Sequence, residues 1–357
     1  GFRLPPHADG TLPLPLDVPA KGKCFVNICY HCKQDSALIK ADHLLGFDEI
    51  PLQNSDPRNQ DAVQLLGRPA GDGLITIRET DRMLVLSCEQ FTYVFNKLTG
   101  LFDKMTFANE PLLDQPMGFN VWRAPTDNDR KLKADWYAAH YDHAATNAYH
   151  TEYTVTASGV TLHTHVGIAA ICVQKFLDLD VTWTVANNGS VDLALHAQRN
   201  TVFPELPRFG LRLFLPQEMS QVNYYGMGPM ECYCDKHHAA SHNSYTATVW
   251  QLHEDYIRPQ ENGSHFDCDY VMLAGDAVRL TAVGTQPFSF NASHYTQEEL
   301  TRKAHNYELE PCSSTVLCLD YAQNGIGSES CGPRLLEQYR LDDATFNFGL
   351  RLFPEKK

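Results

Sequence analysis

With 357 residues, 43% of them hydrophobic and 20% charged, the chain has the composition of a globular protein with room for one large domain and a smaller piece. Its 43 acidic residues against 29 basic ones give a formal charge of −14. Such a surface repels phosphate backbones and anionic bilayers, which argues against nucleic acid or membrane partners, and no apolar run approaches the length needed to span a bilayer.

The first fifty or so residues are too few for an independent sandwich with its own core. They are expected to supply strands to a domain lying mostly outside this sequence, residues 22–33 being the clearest strand. Turn formers then concentrate at Gln53-Asn54-Ser55-Asp56-Pro57 and Gly67-Arg68-Pro69-Ala70-Gly71-Asp72-Gly73, marking a break at residues 53–73. Beyond it the dominant period is two. Phe91, Tyr93 and Phe95 alternate before a turn at Lys97-Leu98-Thr99-Gly100, and Leu101 restarts the chain. Asn109-Glu110, just before Pro111, reads as a turn rather than a catalytic acid.

Arg123-Ala124-Pro125-Thr126-Asp127-Asn128-Asp129-Arg130 is a dense polar run with two readings. Asp127 and Asp129 could face one ligand, or the Asp and Asn side chains could cap their own backbone; from residue types alone the second is favoured. Leu132, Trp136 and His140 then share one face at i, i+4 spacing, predicting a short helix. From Leu177 to Val185 the odd positions are apolar and the even ones polar, a strand with one buried face; Asn187-Asn188-Gly189-Ser190 turns the chain and Val191, Leu193 and Leu195 complete a hairpin.

Cys232, Cys234, Asp235, His237 and His238 form the most metal-like cluster. A strand would put both thiols on one face, but zinc sites draw on a distant second pair and none is evident, so no metal is expected there. Val278, Leu280 and Ala282 alternate after Gly275-Asp276, and Thr296 with Glu299 resembles a capping box opening a short helix through about Ala304. Gly325-Ile326-Gly327-Ser328-Glu329-Ser330-Cys331-Gly332-Pro333 is an irregular loop without the phosphate-loop spacing, equally readable as an ordered turn or as a ligand loop.

Eleven cysteines, an odd number scattered along the chain, read as reduced, half-buried small hydrophobes of a cytoplasmic protein. Many short strands, frequent Gly, Asn and Asp turns and no βαβ alternation predict an all-β, antiparallel architecture.

Taken in order, several stretches resemble the end of the family-2 glycoside hydrolase β-galactosidases of the LacZ type, and the small subunit of their two-chain forms. They are Ala41-Asp42-His43 with Phe47-Asp48, Phe95-Asn96-Lys97 with Thr99-Gly100, Trp122 through Asp129, and Leu206-Pro207-Arg208-Phe209-Gly210. Tyr225-Gly226-Met227-Gly228-Pro229 continuing through Glu231, Tyr233 and Asp235 follows, then Tyr256 with Pro259-Gln260-Glu261-Asn262-Gly263, and the loop at 325–333. The resemblance implies that residues 1–52 end an immunoglobulin-like β-sandwich, 53–73 link, and 74–357 form a large antiparallel β-supersandwich similar to galactose mutarotase. It also implies that the catalytic glutamates and the magnesium and sodium sites lie in other domains, chiefly a (β/α)8 barrel. This chain would then carry no catalytic residue, bind no cofactor and be inactive alone.

What the resemblance assigns to this chain is one wall of a site for terminal β-galactosides such as lactose, hydrolysed with retention. Cys331, flanked by Ser330 and Gly332, takes the place of a sugar-stacking tryptophan, in a loop one residue shorter than in the best-known members. Arg123, Asp127, Asn128 and Asp129 would fix loop geometry, and Gly100 would act as a hinge. The implied partners are the barrel region or large subunit and further copies in a homo- or hetero-oligomer. The alternatives are a free-standing carbohydrate-binding module and a mutarotase-like epimerase, for which His253, Glu254 and His294 are the candidate acid and base.

Overall fold

A computed structural model describes residues 4–357, which divide into two compact units meeting between Gln64 and Leu65. In the first unit, β1 (Phe25–His31) and β2 (Leu44–Pro51) pair antiparallel, with Ile28 opposite Asp48. The hairpin buries almost nothing: Tyr30, Leu45 and Ile50 are all exposed, and a lone two-stranded hairpin is marginal in water. The break expected to be irregular contains a helix, α1 (Gln60–Leu66). Asn59 Oδ1 accepts from Ala62 N at 3.0 Å and starts it, a capping signal that the surrounding turn formers obscure.

The second unit is two antiparallel sheets. The smaller has five strands in sequence order: β3 (Thr76–Glu79), β4 (Met83–Ser87), β5 (Phe91–Asn96), β6 (Leu101–Phe107) and β7 (Glu110–Pro111). The larger has twelve. They are β8 (Gln115–Asn120), β9 (Ala145–Thr156), β10 (Gly159–Ala169), β11 (Leu177–Ala186), β12 (Val191–Arg199), β13 (Arg208–Pro216), β14 (Gln221–Gly228), β15 (Ser241–Thr248), β16 (Ser264–Ala274), β17 (Val278–Ser293), β18 (Ser314–Gln323) and β19 (Thr345–Lys356). Asn and Gly turns connect several of them as the residue pattern predicts: Ala108 and Asn109 both hold positive φ between β6 and β7, and Gly189 does so between β11 and β12.

The large sheet forks at β17. Its first half pairs with β19, Val278 opposite Lys356 through Gly284 opposite Leu350; its last residues, Ser289 to Ser293, pair with β18 instead. Gly284 ends the first half and Pro287 stands between the two. A Cβ on Gly284 would lie 2.1 Å from Gln286 O, and Pro287 has no amide to donate, so the ladder breaks where the strand changes partner. One arm continues β19-β12-β11-β10-β9 and the other β18-β13-β8.

One large hydrophobic core cluster joins the two sheets. Phe91, Tyr93 and Phe95 of β5 point inward as their spacing predicts, and Phe102 meets Trp183 of β11 edge-on at 5.3 Å. Both polar handles in this layer are satisfied, Trp183 Nε1 donating to Gly100 O at 3.0 Å and Tyr93 OH to Gly189 O at 2.7 Å. The all-β, antiparallel architecture read from period and turns is what forms, in the large sandwich that the resemblance implied.

Two helical expectations need correction. The helix α2 (Leu132–Ala138) buries Leu132 and Trp136, but His140 lies beyond its end at φ 56°, exposed, because the helix stops before a third turn can place it. In α3 (Gln297–Arg302) Thr296 caps Glu299 N at 3.1 Å without the reciprocal bond; the Glu299 carboxylate accepts from Arg302 and from Glu310 N instead.

Candidate functional site: a loop pinned at its base and bare at its tip

Where β18 ends, residues 324–327 are held from every side. Arg123, fully buried, donates to Asn324 O and, through Nη2, to Gly325 O at 3.1 Å. The same guanidinium grips Asp129 through Nε at 3.2 Å and Nη2 at 2.7 Å and lies 5.1 Å from the centre of the Trp136 ring. Asp129 in turn accepts from Thr126 N at 2.8 Å and Thr126 Oγ1 at 3.1 Å, which folds the 123–130 loop around it. Asn128 Nδ2 donates to Ile326 O at 2.6 Å. From the opposite side, both oxygens of the Asp235 carboxylate accept backbone amides, Ile326 N at 3.0 Å and Gly327 N at 2.8 Å. A Cβ on Gly325 would meet Asp235 Oδ2 at 2.6 Å, which is why glycine stands there.

Beyond Gly327 the anchoring stops. Among the described residues, none from Ser328 to Pro333 makes a hydrogen bond, Glu329 sits at φ 83°, and Cys331 and Gly332 are exposed. The chain is recaptured by Arg334, which pairs with Glu205 at 2.7 Å, and by buried Leu335. The result is a short exposed tip carrying Ser330, Cys331 and Gly332 on a rigid base.

A second layer supports that base. Arg208, on β13, is fully buried between Asp320 (Nε–Oδ1 3.1 Å, Nη2–Oδ2 2.5 Å) and Glu261 (Nη1–Oε2 3.1 Å). Glu261 N donates to Ala124 O at 3.0 Å, tying this triad to the 123–130 loop. Burial pushes both carboxylic acids up against the pull of the Arg208 charge, since one guanidinium faces two carboxyl groups. Glu231 accepts from Tyr256 OH and Lys236 Nζ, each at 2.5 Å, and from Gly263 N at 2.8 Å. The stretches from Trp122 onward that carried the resemblance are thus the ones that hold one another together.

Not every candidate joins this constellation. Asp127 is exposed, its carboxylate 3.5 Å from Arg258, so it and Asp129 diverge and do not face one ligand. Gly100 sits apart in the β5–β6 turn at φ 73°, packed on Thr164 and Val166, with its amide bonded to Asn96 O and its carbonyl to Trp183. Cys232 and Cys234 occupy a loop rather than a strand, because the neighbouring turn formed by Tyr233 and Lys236 closes back on itself. Their thiols face separate partners, Met227 O at 3.4 Å and Gln323 O at 3.7 Å, and burial pushes them to about 11 and about 12. His253 lies against Tyr295 and His294 against Trp250, with ring centres 4.9 and 4.6 Å apart. Residue types alone did not single out Asn324, Asp320 or the role of Asp235; the two glycines at 325 and 327, spaced for close approach of another group, were the available signal.

The model of the β-galactosidase small chain matches residues 87–352. The chain belongs to that family. Similar curated relatives are the β-galactosidases of Actinobacillus pleuropneumoniae, 37% identical over 98% of this chain and 34% of the relative, and of Staphylococcus xylosus, 34% identical over 97% of this chain and 34% of the relative. The chain therefore spans about a third of the length of these relatives of the small-chain family. Among solved structures, a galactose mutarotase-like protein from Lactobacillus casei overlaps 76% of this chain and all of its own at 10% identity and a TM-score of 0.42. The galactose 1-epimerase of Lactobacillus acidophilus overlaps 79% of this chain and 99% of its own at 8% identity and a TM-score of 0.44. No helix among the described residues of this chain is long and apolar enough to cross a membrane, and none of the eleven cysteines is joined in a disulfide among the described residues.

Proposed function

We propose that this small chain forms one wall of a β-galactosidase site, presenting the 328–333 tip to a terminal β-galactoside such as lactose. The reacting groups come from a partner region or large subunit. In that region, a (β/α)8 barrel in the reading proposed here, one glutamic acid protonates the leaving oxygen and a second carboxylate attacks with net retention. Magnesium and sodium belong to that region too, and this chain binds no cofactor. Residues 1–52 complete an immunoglobulin-like sandwich there, and the exposed apolar side chains of the β1–β2 hairpin support this. The free thiols fit a cytoplasmic enzyme, and assembly as a homo- or hetero-oligomer follows from the division of labour.

The observation that carries this reading is the contrast within one loop: a base fixed by Arg123, Asn128 and Asp235, and a tip with no internal bonds that leaves Cys331 free to meet a ligand. A thiol offers far less apolar area than an aromatic ring, so its contribution to sugar binding is modest. In the complete enzyme Cys331→Ala is expected to raise KM for a chromogenic galactoside a few-fold with little change in kcat, and Cys331→Trp to lower it. Unaltered steady-state kinetics in both variants removes Cys331 from the site. Galactoside hydrolysis by this purified chain alone overturns the placement of the catalytic groups elsewhere.

A further inference from the structure

Beside the 123–130 loop, which lends it Pro125, lies a cleft of about 370 Å³, the size of a small-molecule site. In a chain with 43 acidic and 29 basic residues, no acidic residue lines it, while Lys133, Arg258, Arg302 and Lys303 all do. These cations come from three separate elements: α2, the segment before Pro259, and the end of α3. Part of the cluster has a local explanation. Arg302 and Lys303 both pair with Glu299, Lys303 at 3.4 Å, and cations at a helix C-terminus offset its dipole. Lys133 and Arg258 have no such account. Lys133 is half-buried and makes no ion pair or hydrogen bond among the described residues. Arg258 reaches Asp127 only at 3.5 Å, with both side chains mostly exposed, a pair of the kind worth at most about 1 kcal/mol and readily exchanged.

We propose that this cleft binds a phosphate dianion, either free or as the monoester of a small metabolite. Four basic side chains lining one concave surface suit a doubly charged tetrahedral oxyanion better than a carboxylate, and the Arg258 and Arg302 guanidinium groups supply paired donors for its oxygens. Tyr137, whose ring lies 5.2 Å from that of Trp122, and Pro259 form an apolar wall on which the organic part of an ester would rest. Occupancy exchanges the Asp127 partner of Arg258 for the ligand. Its lining shares no residue with the 328–333 tip, and the proposal does not depend on the sugar-wall reading.

The test is isothermal titration of the intact protein containing this chain with inorganic phosphate and with galactose 6-phosphate, galactose serving as the neutral control. Saturable binding of a phosphate probe is expected, weakened at least ten-fold in the double variant Lys133→Gln, Arg258→Gln and unchanged in Lys104→Gln, an exposed lysine on β6 outside the cleft. Circular dichroism of the double variant should match the parent, since neither substitution touches the core. Tighter binding of the ester assigns the ligand to a phosphorylated metabolite resting on Tyr137; equal binding assigns it to free phosphate. Absence of phosphate binding, affinity untouched by the double variant, or an equal loss in Lys104→Gln overturns the proposal.

Discussion

Arg123 shows how much one buried side chain can organise. Its guanidinium satisfies Asp129 twice and two carbonyls of the 324–325 segment at once, an arrangement that needs a planar fork of donors. Arg123→Met leaves Asp129 buried without its counter-charge, so a loss of about 3–5 kcal/mol in urea unfolding is expected. Arg123→Lys should recover little of it, because a single ammonium cannot span both sets of acceptors. His265 makes a different prediction. It is buried between Tyr224 and Phe290, its Nδ1 near Tyr224 OH and Met227 O, and desolvation holds its pKa down to about 4 against an ordinary 6.5. The unfolded chain therefore binds a proton that the folded one refuses. Stability should fall as pH drops from about 6.5 towards about 4, by roughly 3 kcal/mol for this residue. Urea midpoints measured across that window should flatten in His265→Gln; an unchanged slope assigns the acid sensitivity to other groups.

At the scale of the element, the 324–335 segment works because its two halves are treated differently. Asp235 accepts two consecutive amides at the base, while the tip lacks internal bonds. Asp235→Asn keeps the shape but replaces one acceptor by a donor facing an amide, so the base should open more often. Cleavage by a glutamate-specific protease after Glu329, followed by mass spectrometry, is expected to quicken several-fold in that variant. Equal cleavage rates would show that the tip moves independently of its base. The super-sandwich makes a comparable division along β17, where Gly284 and Pro287 interrupt the ladder so that one strand serves two arms of the sheet.

For the whole molecule, the junction of the two sheets is the feature on which order elsewhere depends. Trp183 is fully buried there, touching Phe102 and bonding Gly100 O. Trp183→Ala should cost about 3–5 kcal/mol, and tryptophan fluorescence and near-ultraviolet circular dichroism should report the loosened core. A loss below about 1 kcal/mol would mean that the layers are held mainly by other contacts.

The division between sequence and tertiary structure follows from the range of the forces involved. Alternation in Leu177–Val185 and Phe91–Phe95, and the Asn-Gly turn at 188–189, are local: period two on a pleated strand and positive φ at a turn are decided by neighbours in the chain, so the all-β fold was legible before any contact was known. The self-capping of Asp129 through Thr126 is local too, and the residue types favoured it. Helix ends were read less well, since the place of His140 depends on where α2 stops and not on its spacing. The site is of another kind. Arg123 meets residues 324 and 325 some two hundred positions away, Arg208 meets Asp320 across 112, and Asp235 meets Gly327 across 92. Those pairings arise only when β8, β13 and β18 lie side by side, because partners so far apart in the chain are brought within hydrogen-bond reach by the folded sheet alone and leave no period in the sequence.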